Sequence, residues 1–331
     1  MRAVLMHQSG GPDVLLYSHE VTPPRIHGDH QVLVRLKAAG VNPVDTKLRS
    51  RGTYYPEQMP AILGCDGAGV VEEVGEAVTR FRPGDEVYYC FGGIGGAQGN
   101  YAELNVVDER FLAAKPRTAD FVTAAAAPLA LITAWEALHD RGRIQTEQKV
   151  LIHAGAGGVG HVAIQLAKAA GCQVITTVSS KEKAAFAKQL GADETILYRD
   201  VDVAEAATAW SGGEGVDLVL DTVGGKVFEQ SFSAIRPYGH IVSLLQPDEV
   251  DWKTARLRNL SISLELMLSP MYFGWGDAQE HQRWILEQCA TLIDERKLTV
   301  KVSHTLPLEA AADAHTLLES GGMQGKVVLT V

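Results

Sequence analysis

The chain is poor in the features that mark several protein classes. Four cysteines in 331 residues, Cys65, Cys90, Cys172 and Cys289, form no C-x-x-C pair. That excludes a disulfide scaffold and fits buried or free thiols in a reducing compartment. No apolar run approaches the roughly 20 residues of a membrane-spanning helix, so no membrane partner is expected. Met1-Arg-Ala-Val-Leu-Met-His7 turns polar too soon for a signal peptide. A cytoplasmic protein is the expectation. Positive charge is the minority: 30 Lys and Arg against 40 Asp and Glu give a net charge of −10. No nucleic-acid partner is expected from that balance.

What the chain has is apolar content, 46%, enough for large cores in about two domains. Residues 1–125 read as mostly β. Val32-Leu-Val-Arg-Leu36 alternates, Gly67–Val74 is Gly/Val-rich, and Arg82-Pro-Gly-Asp85 is a turn feeding Glu86-Val-Tyr-Tyr89. Phe91–Asn100 holds five glycines and is expected to be a mobile loop. Ala124–Leu138 reads as helix interrupted by Pro128. From Lys149 strands and helices alternate. Strands are expected at 149–154, 173–178, 194–197, 216–221 and 238–245, helices at 158–170, 181–190, 202–210 and 225–235. Such alternation with apolar strands implies a parallel sheet covered on both faces, with Ser261–Leu268 joining its edge. Helices at Gln279–Arg296 and Leu308–Glu319 and a strand at 325–331 close the chain. The layout is an α/β chain: a β-rich domain interrupted by a doubly wound one.

The strongest chemical signal is Val150-Leu-Ile-His-Ala-Gly-Ala-Gly-Gly-Val-Gly160. Gly155, Gly157 and Gly160 keep the spacing G-x-G-x-x-G, with Gly158 and Val159 completing the loop between an apolar strand and a helical pattern. The first glycine permits the turn, the second lets backbone approach a pyrophosphate, and the third lets helix pack on strand. The helix start adds unpaired N–H groups and a positive dipole end. In NAD-selective sites an acidic residue ends the second strand. Here Gln173–Val178 runs into Ser179-Ser180-Lys181, and Tyr198-Arg199 follows the third strand. Hydroxyls and cations suit a 2′-phosphate, so NADP(H) is expected. The alternative is that the serines cap the next helix and Lys181 is solvated, and Glu182 lies close enough to disturb the reading.

These motifs, taken in order, resemble the zinc-independent quinone oxidoreductase group of the medium-chain dehydrogenase/reductase superfamily. Gly40-Val-Asn-Pro-Val-Asp45, Leu63-Gly-Cys-Asp-Gly-Ala-Gly-Val-Val71, Arg82-Pro-Gly-Asp-Glu-Val87, the glycine loop, Asp221-Thr-Val-Gly-Gly225 and Gly325-Lys-Val-Val-Leu329 carry the resemblance along nearly the whole chain. It implies a GroES-like β-barrel catalytic domain (residues 1–125 and 269–331) around a Rossmann NADP-binding domain (126–268), with the active site in the cleft between them. It also implies a homodimer or homotetramer, paired through the edge strand Ser261–Leu268. In zinc-dependent relatives the ligand positions correspond to Asn42, Cys65 and the Pro128–Leu129 region, and no set of three ligands arises there. No zinc is expected, and Cys65 reads as a packed residue.

Without a Lewis acid, activated acceptors are the expected substrates: quinones or α,β-unsaturated carbonyls, reduced by hydride from NADPH. The resemblance puts Asn42 beside the nicotinamide ribose and substrate, as an amide donor to developing negative charge, or else as a backbone-bonded turn residue. Asp45 orients the neighbourhood or caps the following helix. Tyr54 or Tyr55 lines the cleft, stacking on the acceptor or giving it a proton, unless either is only packed. Thr133 is expected to touch the cofactor, Ser243 and Leu245 to place backbone against the nicotinamide, and Lys326 to reach the phosphates or be solvated. Phe91–Asn100 and Pro270–Trp275 are expected to select substrate. Alternatives are 2-enal or enoyl-thioester reduction, with Lys47, Arg49 and Arg51 as cationic candidates, or an NADPH-binding protein with little turnover, crystallin-like or RNA-binding.

Overall fold

Every one of the 331 residues is described in the computed structural model. The chain divides into two compact units, Met1–Leu129 with Leu268–Val331, and Ala130–Met267.

The first unit is built on one long strand, Gln31–Val41. It pairs antiparallel with Asp66–Val74, Lys326–Thr330 and Leu104–Asp108. The sheet runs Val302–Pro307, Lys326–Thr330, Gln31–Val41, Asp66–Val74, Glu86–Cys90, Ala113–Ala114. Alternation puts Val32, Val34 and Leu36 into a core with Val71, Val87, Tyr89, Val107 and Leu112. Two register shifts, at Leu33/Val34 and Leu36/Ala38, bend the long strand so that it can serve all three partners. Gly69 marks one of the close approaches, since a Cβ there meets the Arg35 carbonyl oxygen at 2.3 Å.

The second unit is a six-stranded parallel sheet in the order Glu194–Leu197, Gln173–Val178, Lys149–Ile152, Val216–Asp221, Ile235–Ser243, Ser261–Leu264. In sequence rank this is 3-2-1-4-5-6, the doubly wound order, with its switch point between Lys149–Ile152 and Val216–Asp221. Val150, Leu151 and Ile152 are all fully buried, as strands covered on both faces require. Phe228 and Phe232 of the crossover region pack edge-to-face at 5.1 Å in the same core.

The α/β architecture agrees with the sequence reading, with trimmed ends. The first strand stops at Ile152 because Ala154 takes a positive φ of 51° to enter the glycine turn. The edge strand ends at Leu264 rather than Leu268, and Met267 and Leu268 are instead buried. The Ala124–Leu138 region is two helices, Phe121–Ala125 and Pro128–Trp135, followed by a π-helical Glu136–Arg141. Pro128 lacks the N–H that a continuous helix needs. No helix is long and apolar enough to cross a membrane.

Candidate functional site

In the first unit, sheet register assembles a buried polar cluster. Val327 faces Val41 across an antiparallel pair, which brings Lys326 opposite Asn42, and Gly40 faces Asp66 on the other side. Asn42, Asp45 and Asp66 are fully buried and Lys326 is 4% exposed. The Lys326 ammonium donates to Asn42 Oδ1 and lies 3.9 Å from Asp66 Oδ2. Asn42 Nδ2 donates to the same Asp66 oxygen at 2.9 Å. Asp66 Oδ1 accepts from the Leu129 N–H at 2.8 Å. Burial pushes the Asp66 carboxyl up and the Lys326 ammonium down, each held partway by the other's charge. The solvated alternative for Lys326 is thus corrected: its strand neighbours leave the side chain no route to water.

Asn42 precedes the helix Pro43–Arg51, and its N–H donates to Asp45 Oδ2 at 2.8 Å. Asp45 therefore anchors the turn, and it also accepts from the Tyr101 hydroxyl at 3.2 Å. His315 Nε2 lies 3.1 Å from the same hydroxyl. Asp45 Oδ1 is buried without a hydrogen-bond partner. Burial raises the Asp45 carboxyl to about 7, whereas burial, with the Arg49 charge, drops His315 to about 3. Tyr101 and His315 drew no attention in the sequence, because nothing in their spacing links positions 214 apart.

Tyr54 is 41% exposed and packs on Tyr272 with ring centroids 5.1 Å apart. Tyr55 donates its hydroxyl to the Tyr272 carbonyl at 3.0 Å. Phe273 and Trp275 stack at 4.8 Å in the same segment. The glycine-rich stretch Phe91–Asn100 has no regular secondary structure, yet most of it is buried. Asn100 Nδ2 donates to the carbonyls of Gly64, Cys65 and Phe91, each at 3.0 Å. Added Cβ atoms at Gly93 or Gly99 meet backbone at 2.7 Å or less. The expected mobile loop is therefore tied down; its glycines serve close packing. Arg49 is also displaced from its expected place: it is 2% exposed and pairs with the Gly10 carbonyl and Glu319.

In the second unit, Gly155–Val159 follows the first strand and the helix begins at Gly160. A Cβ on Gly155 meets Thr176 Oγ1 at 2.1 Å, and one on Gly160 meets the Ala154 carbonyl at 2.3 Å. At Gly157 the one near atom is that same carbonyl at 3.1 Å, a tight contact but the mildest of the three, with nothing else close on the outer side of the loop. Two glycines serve packing and the middle one leaves room for a ligand, which fits a pyrophosphate cradle. Beside the loop is a cavity of about 690 Å³, lined by Ala154, Thr177, Tyr198, Val201, Val223 and Val227 among others.

His153 braces this region. Ser231 donates its hydroxyl to Val227 O at 2.6 Å, so its oxygen accepts from His153 Nε2 at 2.9 Å. His153 Nδ1 is then the acceptor for Thr177 Oγ1 at 3.2 Å, whose oxygen takes the Ala154 N–H at 3.0 Å. The ring is neutral in this chain, and burial lowers it to about 4. Sequence reading missed His153, Thr177 and Val223, although their positions at strand ends on either side of the switch point carried the signal.

The remaining expected cofactor residues divide. Ser180 caps the helix Lys181–Gln189, accepting from Lys183 N at 3.3 Å, while Lys181 is exposed. Tyr198 is 46% exposed with the Arg199 guanidinium 5.8 Å from its ring centre. Ser243 is buried and donates to Asp221 Oδ2 at 2.7 Å, and Leu245 N donates back to Ser243 Oγ at 3.3 Å. Asp221 Oδ1 gathers the N–H groups of Val223 and Gly224. Thr133 is buried in Pro128–Trp135.

Two family models match: an alcohol dehydrogenase GroES-like domain over residues 28–117, and a zinc-binding dehydrogenase over 190–329. A quinone oxidoreductase of Pseudomonas aeruginosa is 37% identical over 97% of this chain and 96% of its own. A 2-haloacrylate reductase of a Burkholderia species is 34% identical over 99% and 98%. Among solved structures, Escherichia coli quinone oxidoreductase complexed with NADPH superposes with a TM-score of 0.87 at 31% identity, covering both chains fully.

Proposed function

We propose that this chain, which belongs to the quinone oxidoreductase group of the medium-chain dehydrogenase/reductase superfamily and is thereby an oxidoreductase, is an NADPH-dependent reductase that works without zinc and delivers hydride to quinones or α,β-unsaturated carbonyls. The observation that carries the reading is the glycine loop, open at Gly157 and set between the first strand and the helix at Gly160. In its first turn the His161 and Ala163 N–H groups are taken by the Gly157 and Val159 carbonyls, and it is the positive dipole end of the helix that suits a pyrophosphate. Ser179, Ser180 and Lys181 offer hydroxyls and a cation for a 2′-phosphate, and the relative complexed with NADPH supports that choice. NADPH, when bound, supplies the hydride.

The chain's own residues supply the rest. Asn42 Nδ2 carries two hydrogens, one given to Asp66. The second is a donor for negative charge developing on the acceptor oxygen. Asp45 fixes the Asn42 backbone, so the donor does not reorganise during reaction. Tyr54, half-exposed, stacks on the acceptor or returns a proton to it. The donor set does not fit zinc: no three His, Cys, Asp or Glu side chains form a metal group, and the Lys326 ammonium already faces Asn42 and Asp66. A metal cation there meets a like charge.

The 2-haloacrylate reductase relative favours conjugated alkenes as a second acceptor class. Thioester reduction loses a candidate cation, since Arg49 is buried and paired. Self-association is proposed through the edge strand Ser261–Leu264, where Ile262 and Leu264 are 37% and 55% exposed, with Leu266 just beyond it at 54%. Light scattering on Leu264→Lys tests this, and an unchanged mass for the variant rejects that edge.

The deciding experiment follows NADPH oxidation with 1,4-benzoquinone, 9,10-phenanthrenequinone, an enone, a 2-enal and a simple aldehyde, with and without chelator. Chelator-resistant turnover of quinone or enone is expected. Turnover of the aldehyde alone, abolished by chelator, overturns the reading. NADPH binding without turnover moves the chain to a binding role.

A further inference from the structure

We infer that Lys326 is a positioning residue, which orients and polarises the Asn42 amide through Oδ1 rather than holding a cofactor phosphate; the inference rests on Asn42 acting as proposed above. An amide can turn over, exchanging its acceptor and donor ends, unless its neighbours fix them, and Asn42 is fully buried among polar neighbours. Here both ends are fixed by groups of single polarity. An ammonium only donates, so Oδ1 must face Lys326, and a carboxylate only accepts, so Nδ2 must face Asp66. Asp66 is itself pinned by the Leu129 N–H at 2.8 Å.

The arrangement is a property of the sheet. Lys326 is the first residue of the final strand, and Val327↔Val41 register sets it opposite Asn42. Gly40↔Asp66 register brings in the carboxylate from the other neighbour. Gly40 permits this closeness, since a Cβ there meets the Ala125 carbonyl at 2.3 Å and Asp66 Cβ at 2.9 Å. Three strands thus aim one amide. The positive charge on Oδ1 also strengthens its N–H groups as donors, because polarisation passes along a hydrogen-bond chain in a low-dielectric site. The second hydrogen of Nδ2 is left at a fixed direction for a developing oxyanion.

The test uses Lys326→Met, Lys326→Arg, Asn42→Ala, and Lys326→Met with Asp66→Asn, which removes both charges so that neither is left buried alone, and frees the Asn42 amide to turn. Steady-state turnover with NADPH and a quinone, NADPH affinity by fluorescence titration, and the Asn42 side-chain amide signals in a ¹H–¹⁵N spectrum are measured, those signals being assigned by their loss in Asn42→Ala. Loss of kcat by about 10- to 100-fold is expected in Lys326→Met and in the neutral double variant. NADPH affinity stays within about twofold, and Lys326→Arg recovers part of the rate. Adding Asn42→Ala to Lys326→Met costs little more, because the two act as one unit. The Asn42 amide signals move in both Met variants.

Weakened NADPH binding with unchanged kcat overturns the inference and makes Lys326 a phosphate ligand. Additive losses, or unmoved amide signals in a folded variant, also overturn it. If the wild type turns over no acceptor, the functional reading fails, and the amide signals alone decide whether Lys326 positions Asn42.

Discussion

The glycine loop of the second unit and the Asn42 cluster of the first are built on opposite plans. In the loop, the proposed role falls to backbone, and the side chains are absent because atoms added at Gly155 or Gly160 collide at 2.1 to 2.3 Å. In the cluster, the proposed role falls to the Asn42 side chain, packed with Asp45, Asp66, Tyr101, His315 and Lys326 from positions up to 284 apart. A backbone site is vulnerable to added volume and indifferent to protonation. A side-chain cluster has the reverse sensitivities.

The sharpest way to break that contrast is Gly160→Val. Its Cβ is blocked by the Ala154 carbonyl at 2.3 Å and Gly155 Cα at 2.8 Å, both backbone that cannot step aside. A loss of about 3 kcal/mol in urea unfolding is expected, together with loss of NADPH binding. Wild-type stability with normal binding would sink the packing argument for this glycine.

The cluster is tested by pH instead. Asp45 has its folded pKa raised to about 7 from 3.8. Its contribution is therefore fully present below 3.8 and is lost as pH rises through 7. Asp45→Asn removes that loss, so the variant should gain on the wild type between pH 4 and pH 8, on the order of 4 kcal/mol at the upper end. The histidines act the other way. His315, at about 3, and His153, at about 4, are depressed from 6.5, so what they contribute is present above 6.5 and lost as pH falls through 4. Urea titrations across this range check both limbs. If Asp45→Asn and wild type run parallel from pH 4 to 8, the carboxyl is not perturbed as its burial implies.

These two regions also separate what was legible from what was not. The doubly wound order and most element ranges follow from local periodicity, and the loop is contiguous, so its glycines stood out at once. Phe91–Asn100 misled because glycine serves both mobility and close packing, and only the neighbours at Gly64 and Leu63 distinguish them. Lys326 was expected to reach the cofactor phosphates or be solvated, and Arg49 to serve a thioester at the cleft mouth, because a buried lysine or arginine has no local signature. Their burial depends on partners, Asn42 and Asp66 for one, Gly10 and Glu319 for the other, that only sheet register and helix packing bring close. Tyr101 and His315 were missed on the same ground.

A smaller effect sharpens the loop itself. Gly157→Ala adds a Cβ that meets a single atom, the Ala154 carbonyl oxygen at 3.1 Å, so a shift of a few tenths of an ångström accommodates it and the melting temperature should fall far less than in Gly160→Val. The methyl group nonetheless occupies the approach of the pyrophosphate, and NADPH affinity should fall about 10-fold. Equal affinity in the variant would mean that the phosphates lie elsewhere.

The smallest effect separates two readings of Ser180-Lys181. If Ser180 is only a helix cap, Ser180→Ala costs about 1 kcal/mol of stability and leaves NADPH over NADH preference unchanged. Its hydroxyl accepts from Lys183 N at 3.3 Å and also hydrogen-bonds the Glu182 carboxylate, a partner that a 2′-phosphate would have to displace. Lys181 is exposed, so Lys181→Ala should not touch stability. If the pair reads a 2′-phosphate, Lys181→Ala weakens NADPH about 10-fold and leaves NADH untouched, because only NADPH brings the charge that the ammonium answers. Ser180→Ala then shows both losses at once. The cofactor preference of the two variants, set beside their unfolding curves, therefore distinguishes a residue that caps a helix from one that caps a helix and reads a ligand.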